Sequence, residues 1–264
     1  MKRLIAPNSG PAEALHRAVM WTQARRLAGR SHPRAALLSA ALQATALGRM
    51  TAEERSAISR VEGRRTEIPF ELATALGEDP HTANDPFASR LAHAWETCRW
   101  VSIPPYWGRF LFRLVRELRP RTSLELGTGF GLSALYQARA LELDGDRPLT
   151  TLDFHYAAEI GERGFAASGL DERVELVFGD IDDTLPGVLE RIGEVDYALL
   201  DAEHSTAATV RHFDAVLPSL APGAIAVFDD ITSTPEMREA WRLVIARERV
   251  TLAVPLRRFG VVAV

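Results

Sequence analysis

The sequence predicts an α/β protein built on a doubly wound, mainly parallel sheet, preceded by an α-helical N-terminal region. Three observations carry that reading. From Thr122 onward, short apolar runs alternate with helix-length segments, the pattern of a parallel sheet covered on both faces. The first run leads into Gly127-Thr128-Gly129-Phe130-Gly131, whose alternating glycines read as a tight turn from strand to helix. Over residues 11–60 the chain is instead rich in Ala, Leu and Arg, with apolar positions at helical spacing.

Residues 11–60 predict helices joined by short breaks, from Leu15, Val19 and Leu27 and then Leu37, Leu38, Ala41, Leu42, Ala46 and Leu47. Pro33 suits the first turn of a helix, Gly48 a helix end, and Thr51-Ala52-Glu53-Glu54 a capped start. The stretch Gly77 to Pro86, with Asp79-Pro80 and Asp85-Pro86, reads as a loop. It divides a helical N-terminal region, residues 1–85, from a second domain, residues 86–264. Helices over 86–100 and 106–118 follow, separated by Ile103-Pro104-Pro105. Strands are predicted at Ser123–Leu126, Leu149–Asp153, Val174–Phe178, Tyr197–Leu200 and Ala224–Phe228, with helices between them. Two further runs, Val250–Val254 and Phe259–Val264, are separated only by Pro255-Leu256-Arg257-Arg258. That is too short for a parallel crossover, so they predict a terminal antiparallel hairpin.

Composition bounds the function. A 264-residue chain that is 47% hydrophobic can bury a full core. A formal charge of −4 gives no sequence-independent attraction to a nucleic-acid backbone, so nucleic acid is not an expected partner. The single cysteine, Cys98, excludes an internal disulfide framework, and MKRLIAPNSG lacks the apolar stretch of a secretory signal. No apolar run approaches the ~20 residues that span a bilayer. The expectation is a soluble, cytoplasmic protein with no membrane partner.

Ligands of open α/β sheets collect at the carboxyl ends of the strands. There the sequence places an acid at every strand: Glu125, Asp153, Asp180, Asp201 and the pair Asp229-Asp230. Any one of them could cap a helix; recurrence at each strand end points to a ligand site. The glycine turn lets backbone approach a nucleotide-like ligand closely, and the helix after it offers free N–H groups to an anion or carboxylate. Asp201, Asp229 and Asp230, on neighbouring strand ends, make a hard oxygen site suited to Mg²⁺, or to Mn²⁺ or Ca²⁺.

The glycine spacing departs from the dinucleotide fingerprint G-x-G-x-x-G. With an acid two positions ahead of the first glycine, it resembles the signature of class I S-adenosylmethionine-dependent methyltransferases. From Ser102 to Val264 the chain is similar to the metal-dependent O-methyltransferases related to the catechol and caffeoyl-CoA enzymes, and to their bacterial natural-product relatives. The motifs are LELGTGFGLS, TLDFH, LLDAEHS and APGAIAVFDDI.

The resemblance implies a Rossmann-like methyltransferase sheet and S-adenosyl-L-methionine as cofactor. The cofactor would be held by Glu125, Gly127, Thr128, Gly129, Phe130, Gly131, Ser133, Asp153, Phe154, Asp180, Ile181 and Asp201. Asp153 would accept from the ribose hydroxyls, Asp180 and Ile181 would meet the adenine, and Ser133 the methionyl carboxylate. Asp201, Asp229 and Asp230 would bind Mg²⁺. Catechol-type enzymes carry a lysine base three residues after the first of these aspartates; this chain has His204 there, making His204 and Asp201 the catalytic candidates. The implied acceptor is a small-molecule hydroxyl. The helical N-terminal region would be a lid or an oligomer contact, with a homodimer as the expected assembly.

Two alternatives stand beside this: a metal-independent methyltransferase acting on a peptide or metabolite carboxylate, and a non-catalytic cofactor-binding regulatory or assembly protein. A nicotinamide oxidoreductase is disfavoured by the glycine spacing and the terminal hairpin. His16, His32, His81, His93, His155 and His212 show no transition-metal spacing and read as surface or packing residues. Trp95, Trp100, Tyr106 and Trp107 read either as acceptor-pocket aromatics or as core.

Overall fold

The computed structural model describes residues 11–79, 81–145 and 147–264; Pro80 of the expected loop and the N-terminal MKRLIAPNSG lie outside them. Five helices come first: α1 (Pro11–Ala28), α2 (Ala35–Leu47), α3 (Ala52–Ala75), α4 (Phe87–Val101) and α5 (Pro105–Leu118). The alternating part follows as β1 (Ser123–Leu126), α6 (Leu132–Glu142), β2 (Leu149–Asp153), α7 (Ala157–Ala167), β3 (Val174–Phe178) and α8 (Ile181–Ile192). It continues with β4 (Val195–Leu200), α9 (Thr206–Val216), β5 (Leu220–Phe228), α10 (Pro235–Val244), β6 (Leu252–Pro255) and β7 (Gly260–Ala263). The seven strands form one sheet in the order β3-β2-β1-β4-β5-β7-β6. The first five are parallel, and β7 runs antiparallel to both β5 and β6. The sheet is therefore the Rossmann-like one expected, with its terminal hairpin and its preceding helices.

Local chemistry accounts for the element ends. Thr51 accepts from the Glu54 N–H while Glu54 accepts from the Thr51 N–H, a capping box that starts α3. Gly48 ends α2 in the left-handed region. Pro33 lies in the turn before α2 and not within its first turn. The fifth strand starts at Leu220, ahead of the expected Ala224, because Pro222-Gly223 is accommodated at a register irregularity where β4 shifts from Leu220 to Ile225. A Pro-Gly pair reads as a turn from sequence alone. Pro255 is tolerated within β6 because that strand is the sheet edge.

The hydrophobic core joins the first helices to the sheet: one buried cluster runs from Met20 and Leu38 through Phe110 and Leu135 to Phe259 and Ala263. Helix α5 is at its centre, buried from Tyr106 to Val115 except at Arg109. Trp107 and Phe110 pack on Phe259 at ring-centroid distances of 5.0 and 6.1 Å, and Tyr106 donates to Met20 Sδ at 3.1 Å. Two buried arginines tie the layers together. Arg113 pairs with Glu54, and Arg64 pairs with Glu71 and reaches the carbonyl of Ile160 on α7. A buried carboxylate that loses its cation keeps its desolvation cost. Arg113→Met is therefore expected to lower stability by about 3 kcal/mol in urea denaturation, and adding Glu54→Leu should recover most of that loss.

Candidate active site

Strand register builds the site. Leu152, Leu126, Leu200 and Phe228 are aligned across β2, β1, β4 and β5. One residue further on, Asp153, Gly127, Asp201 and Asp229 form a row along the carboxyl edge. Backbone bonds extend the ladder to that row: Gly127 N–H to Leu152 at 2.9 Å, Asp201 N–H to Leu126 at 2.8 Å, and Asp229 N–H to Leu200 at 3.1 Å. A cavity of about 640 Å³ opens above it, within the ~300–1,000 Å³ typical of small-molecule sites.

One half of the cavity is a cradle for a nucleoside-sized ligand. Gly127 sits at φ +96° and a Cβ there would overlap the Asp201 carbonyl, so only glycine lets β1 turn beside β4. Gly131, at φ +78°, caps α6 against Gly161 of α7, where a Cβ would lie 2.9 Å from the Gly161 Cα. Asp153 accepts from the Gly129 N–H at 2.7 Å on one oxygen and from the His155 N–H at 2.8 Å on the other. Each oxygen keeps a lone-pair site for a ligand hydroxyl. Asp180 caps α8 by accepting from the Asp182 N–H at 2.9 Å. Ile181, Phe154 and Tyr156 border the same space.

Glu125 lies beneath the turn and outside the cavity lining. It is 0% exposed and accepts from Gln137 Nε2 at 2.8 Å and Thr151 Oγ1 at 2.7 Å. Burial pushes its carboxyl up to about 7, against the opposing hydrogen bonds from Ser133, Thr151 and Gln137. Ser133 borders the cavity, with its hydroxyl near Glu125 at the floor of the turn.

The other half is charged. One ligand atom each of Asp201, His204 and Asp229 lies within 4.8 Å of the others. His204 Nε2 stands 3.4 Å from Asp201 Oδ1 and 3.8 Å from Asp230 Oδ2. The bond to Asp201 is the main reason the imidazole is held above its ordinary value of 6.5. Asp229 is 1% exposed. Arg258, from the turn between β6 and β7, forks onto it: Nε to Oδ1 at 2.7 Å and Nη2 to Oδ2 at 2.5 Å. The Asp230 N–H, at a residue with φ +52°, adds a third bond to Asp229 Oδ1 at 2.7 Å. Burial, with Asp201 beside it, raises the Asp229 carboxyl, and Arg258 opposes that rise.

Asp201 and Asp229 come together with His204 while Asp230 stands outside that group, and the arrangement does not fit a hard dication. Both lone-pair sites of Asp229 Oδ1 are used, and a guanidinium faces both of its oxygens.

Of the residues singled out from sequence, all but Glu125 and Gly131 line the cavity. Those two shape the turn from below and behind. The four aromatics divide: Trp100 lines the cavity, Tyr106 and Trp107 are core, and Trp95 packs on Phe70. His155 and His212, read as surface or packing residues, both border the cavity, His212 buried beside Asp182, which also holds Arg211. Arg258 escaped the sequence reading altogether. It lies in a four-residue hairpin turn, and nothing local marks its partner 29 positions earlier. No described residue before Thr97 lines the cavity.

A parallel sheet with a glycine turn after β1, acids at the strand ends and a terminal hairpin resembles the class I methyltransferase fold. Residues 124–231 match the protein family described as a methyltransferase domain. The chain is 34% identical over 134 residues to the transmembrane O-methyltransferase of Homo sapiens, covering 50% of this chain and 44% of that protein. It is 30% identical over 132 residues to the catechol O-methyltransferase of Niastella koreensis, covering 50% and 58%. The aligned part thus spans about half the length of these curated relatives.

Among solved structures, it is similar to the O-methyltransferase from Bacillus cereus in complex with SAH. The TM-score is 0.52 with 23% identity, over 62% of this chain and 83% of that one. It is also similar to the O-methyltransferase TomG from Streptomyces achromogenes, involved in tomaymycin synthesis, in complex with SAM. There the TM-score is 0.53 with 24% identity, over 62% and 82%. The resemblance read from the motifs is thereby met in sequence and in fold. No helix among the described residues is long and apolar enough to cross a membrane.

Two predictions follow from the cradle. Asp153→Ala is expected to weaken binding of a ligand that presents hydroxyls to the cradle by ~2–4 kcal/mol, since charged hydrogen bonds disappear, and calorimetry reads this directly. The second concerns Glu125, whose folded value near 7 exceeds its ordinary 4.5. The folded state then binds more protons than the unfolded one between those values, so stability is highest below the window and falls as pH rises through it. Glu125→Gln should remove that part of the slope, gaining up to ~3 kcal/mol at pH 8 relative to pH 4. Parallel pH profiles of the two proteins in chemical denaturation would reject this if they had the same shape.

Proposed function

We propose that the chain is an S-adenosylmethionine-dependent O-methyltransferase acting on a hydroxyl of a small molecule or natural product. The observation that carries this is the double role of Asp201. Its carbonyl abuts Gly127 in the cofactor cradle, and its carboxylate holds His204. The cradle and a proton acceptor therefore share one cavity.

S-adenosylmethionine supplies a methyl group on a sulfonium centre, which an acceptor oxygen displaces in line. The chain's residues set the rest. Asp153 offers its two remaining lone-pair sites to ribose hydroxyls, Asp180 and Ile181 border the adenine position, and the first-turn N–H groups of α6 face the methionyl carboxylate. His204 takes the proton from the acceptor hydroxyl at the ring nitrogen turned away from Asp201, and Asp201, 3.4 Å from Nε2, stabilises the imidazolium that forms. The catechol and tomaymycin-related likenesses support a hydroxyl acceptor of aromatic or natural-product type. The Mg²⁺ expected at Asp201, Asp229 and Asp230 receives no step here, because Arg258 holds Asp229. Cytoplasmic residence and a homodimer complete the proposal, and sedimentation measures the latter.

The test is formation of S-adenosylhomocysteine with a panel of catechols, other phenols, aliphatic alcohols and carboxylic acids. Turnover confined to carboxylic acids would overturn the hydroxyl assignment. His204→Ala is expected to lower kcat about 10²–10⁴-fold with cofactor affinity kept. The base must be neutral, so kcat/KM should rise with pH through an apparent value above 6.5. An unchanged rising limb in His204→Ala would remove His204 from the proton transfer.

A further inference from the structure

We infer that Arg258 takes the place of a divalent cation in the acidic row, so that this chain transfers methyl groups without a metal ion at Asp201, Asp229 and Asp230. The catalytic part of that statement rests on the methyl-transfer reading above; the charge substitution does not.

Three observations carry it. The first is saturation: Asp229 Oδ1 accepts from Arg258 Nε and from the Asp230 N–H, and Oδ2 accepts from Arg258 Nη2. One lone-pair site of that carboxylate is left, and any dication using it would stand against a guanidinium. The planar fork of arginine matches a carboxylate in two parallel bonds, which a mobile surface charge would not hold.

The second is anchoring. The Ile231 N–H donates to the Arg258 carbonyl at 2.9 Å, Thr232 Oγ1 donates to the Arg257 carbonyl at 2.6 Å, and the Leu256 N–H donates to the Phe259 carbonyl at 2.7 Å. Phe259 itself is buried against Trp107. The hairpin turn is thus pinned to the loop that follows Asp229 and Asp230, and the guanidinium has a fixed origin.

The third is placement. Arg258 borders the cavity and lies 3.6 Å from Asp230 Oδ1 through Nε, while Nη1 has no partner among the described residues. One cation therefore neutralises the buried acid, sits beside the second acid, and keeps a donor for an acceptor oxygen.

The experiment is a Mn²⁺ titration of the purified chain, followed by electron paramagnetic resonance with S-adenosylhomocysteine present. Wild type is expected to show no saturable binding up to about 1 mM. Arg258→Ala frees the carboxylates and should gain binding at least about tenfold tighter than wild type, and Asp229→Asn added to it should abolish that gain. Should Arg258→Ala not fold, Arg258→Gln reads the same gain with the side-chain length kept.

Saturable Mn²⁺ binding by wild type below about 0.1 mM would overturn the inference, as would an uncharged Arg258 variant that refuses Mn²⁺ as wild type does. Turnover by wild type that requires a divalent ion overturns it while leaving the methyl-transfer reading intact. A wild type that refuses Mn²⁺ and gains it on loss of Arg258, yet does not bind S-adenosylmethionine, overturns that reading and leaves the charge substitution standing.

Discussion

Parallel register across four strands is the constraint on which the site depends. Because the ladder pairs Leu152, Leu126, Leu200 and Phe228 in one line, the next residue of each strand reaches the carboxyl edge at the same height. A slip of one residue in any of these strands would turn its edge residue to the opposite face, separating Asp201 from Asp229 or Gly127 from Asp153. The sheet does contain an irregularity, between Val195 and Tyr197 opposite Leu220 and Ile225. It falls at the amino end of β5, where Pro222 and Gly223 are absorbed, and the carboxyl end is left in line.

The helical layer reaches the glycine turn through α7. Arg64, on α3, is buried against Glu71 and bonds to the carbonyl of Ile160. The next residue, Gly161, is the one that meets Gly131 at the start of α6. A second buried arginine, Arg113, fixes α5 to the start of α3. Such pairs are weak sources of net stability but costly to break, so they fix where the helices sit more than how strongly they are held. The turn that shapes the cradle is accordingly braced from both sides: by β4 at Gly127 and by α7 at Gly131.

Much of the fold was legible because its signals are local. Strand runs bounded by turn residues placed β1, β2 and β3 to the residue, and Thr51 with Glu54 announced its own capping box. The Pro222-Gly223 extension of β5 was not legible, since only the pairing of Leu220 with Val195 on β4 makes a strand of it. The same division holds in the site. Asp153, Asp180, Asp201 and His204 follow strands directly and could be found by position. Glu125 could be found too, but its place under the turn could not: an acid at the end of a strand looks the same whether it faces a ligand or a buried glutamine. Arg258, Arg211 and His212 reach the cavity from a hairpin turn and a helix face, and only the folded chain brings them there.

The arginine changes what the acidic row can do. A dication bound by three carboxylates would act as a Lewis acid and lower the acceptor hydroxyl's proton affinity directly. A guanidinium supplies one positive charge, already shared with Asp229, and hydrogen bonds whose strength depends on exclusion of water. It can orient an oxygen and stabilise developing negative charge, but it activates a hydroxyl less than a metal does. In the proposed metal-free transfer the burden of removing the proton falls to His204, which stands between Asp201 and Asp230 and whose hold on a proton is strengthened chiefly by Asp201. A histidine base and a guanidinium in the acidic row are, on this view, one arrangement in two parts: the arginine orients the acceptor oxygen and His204 removes its proton.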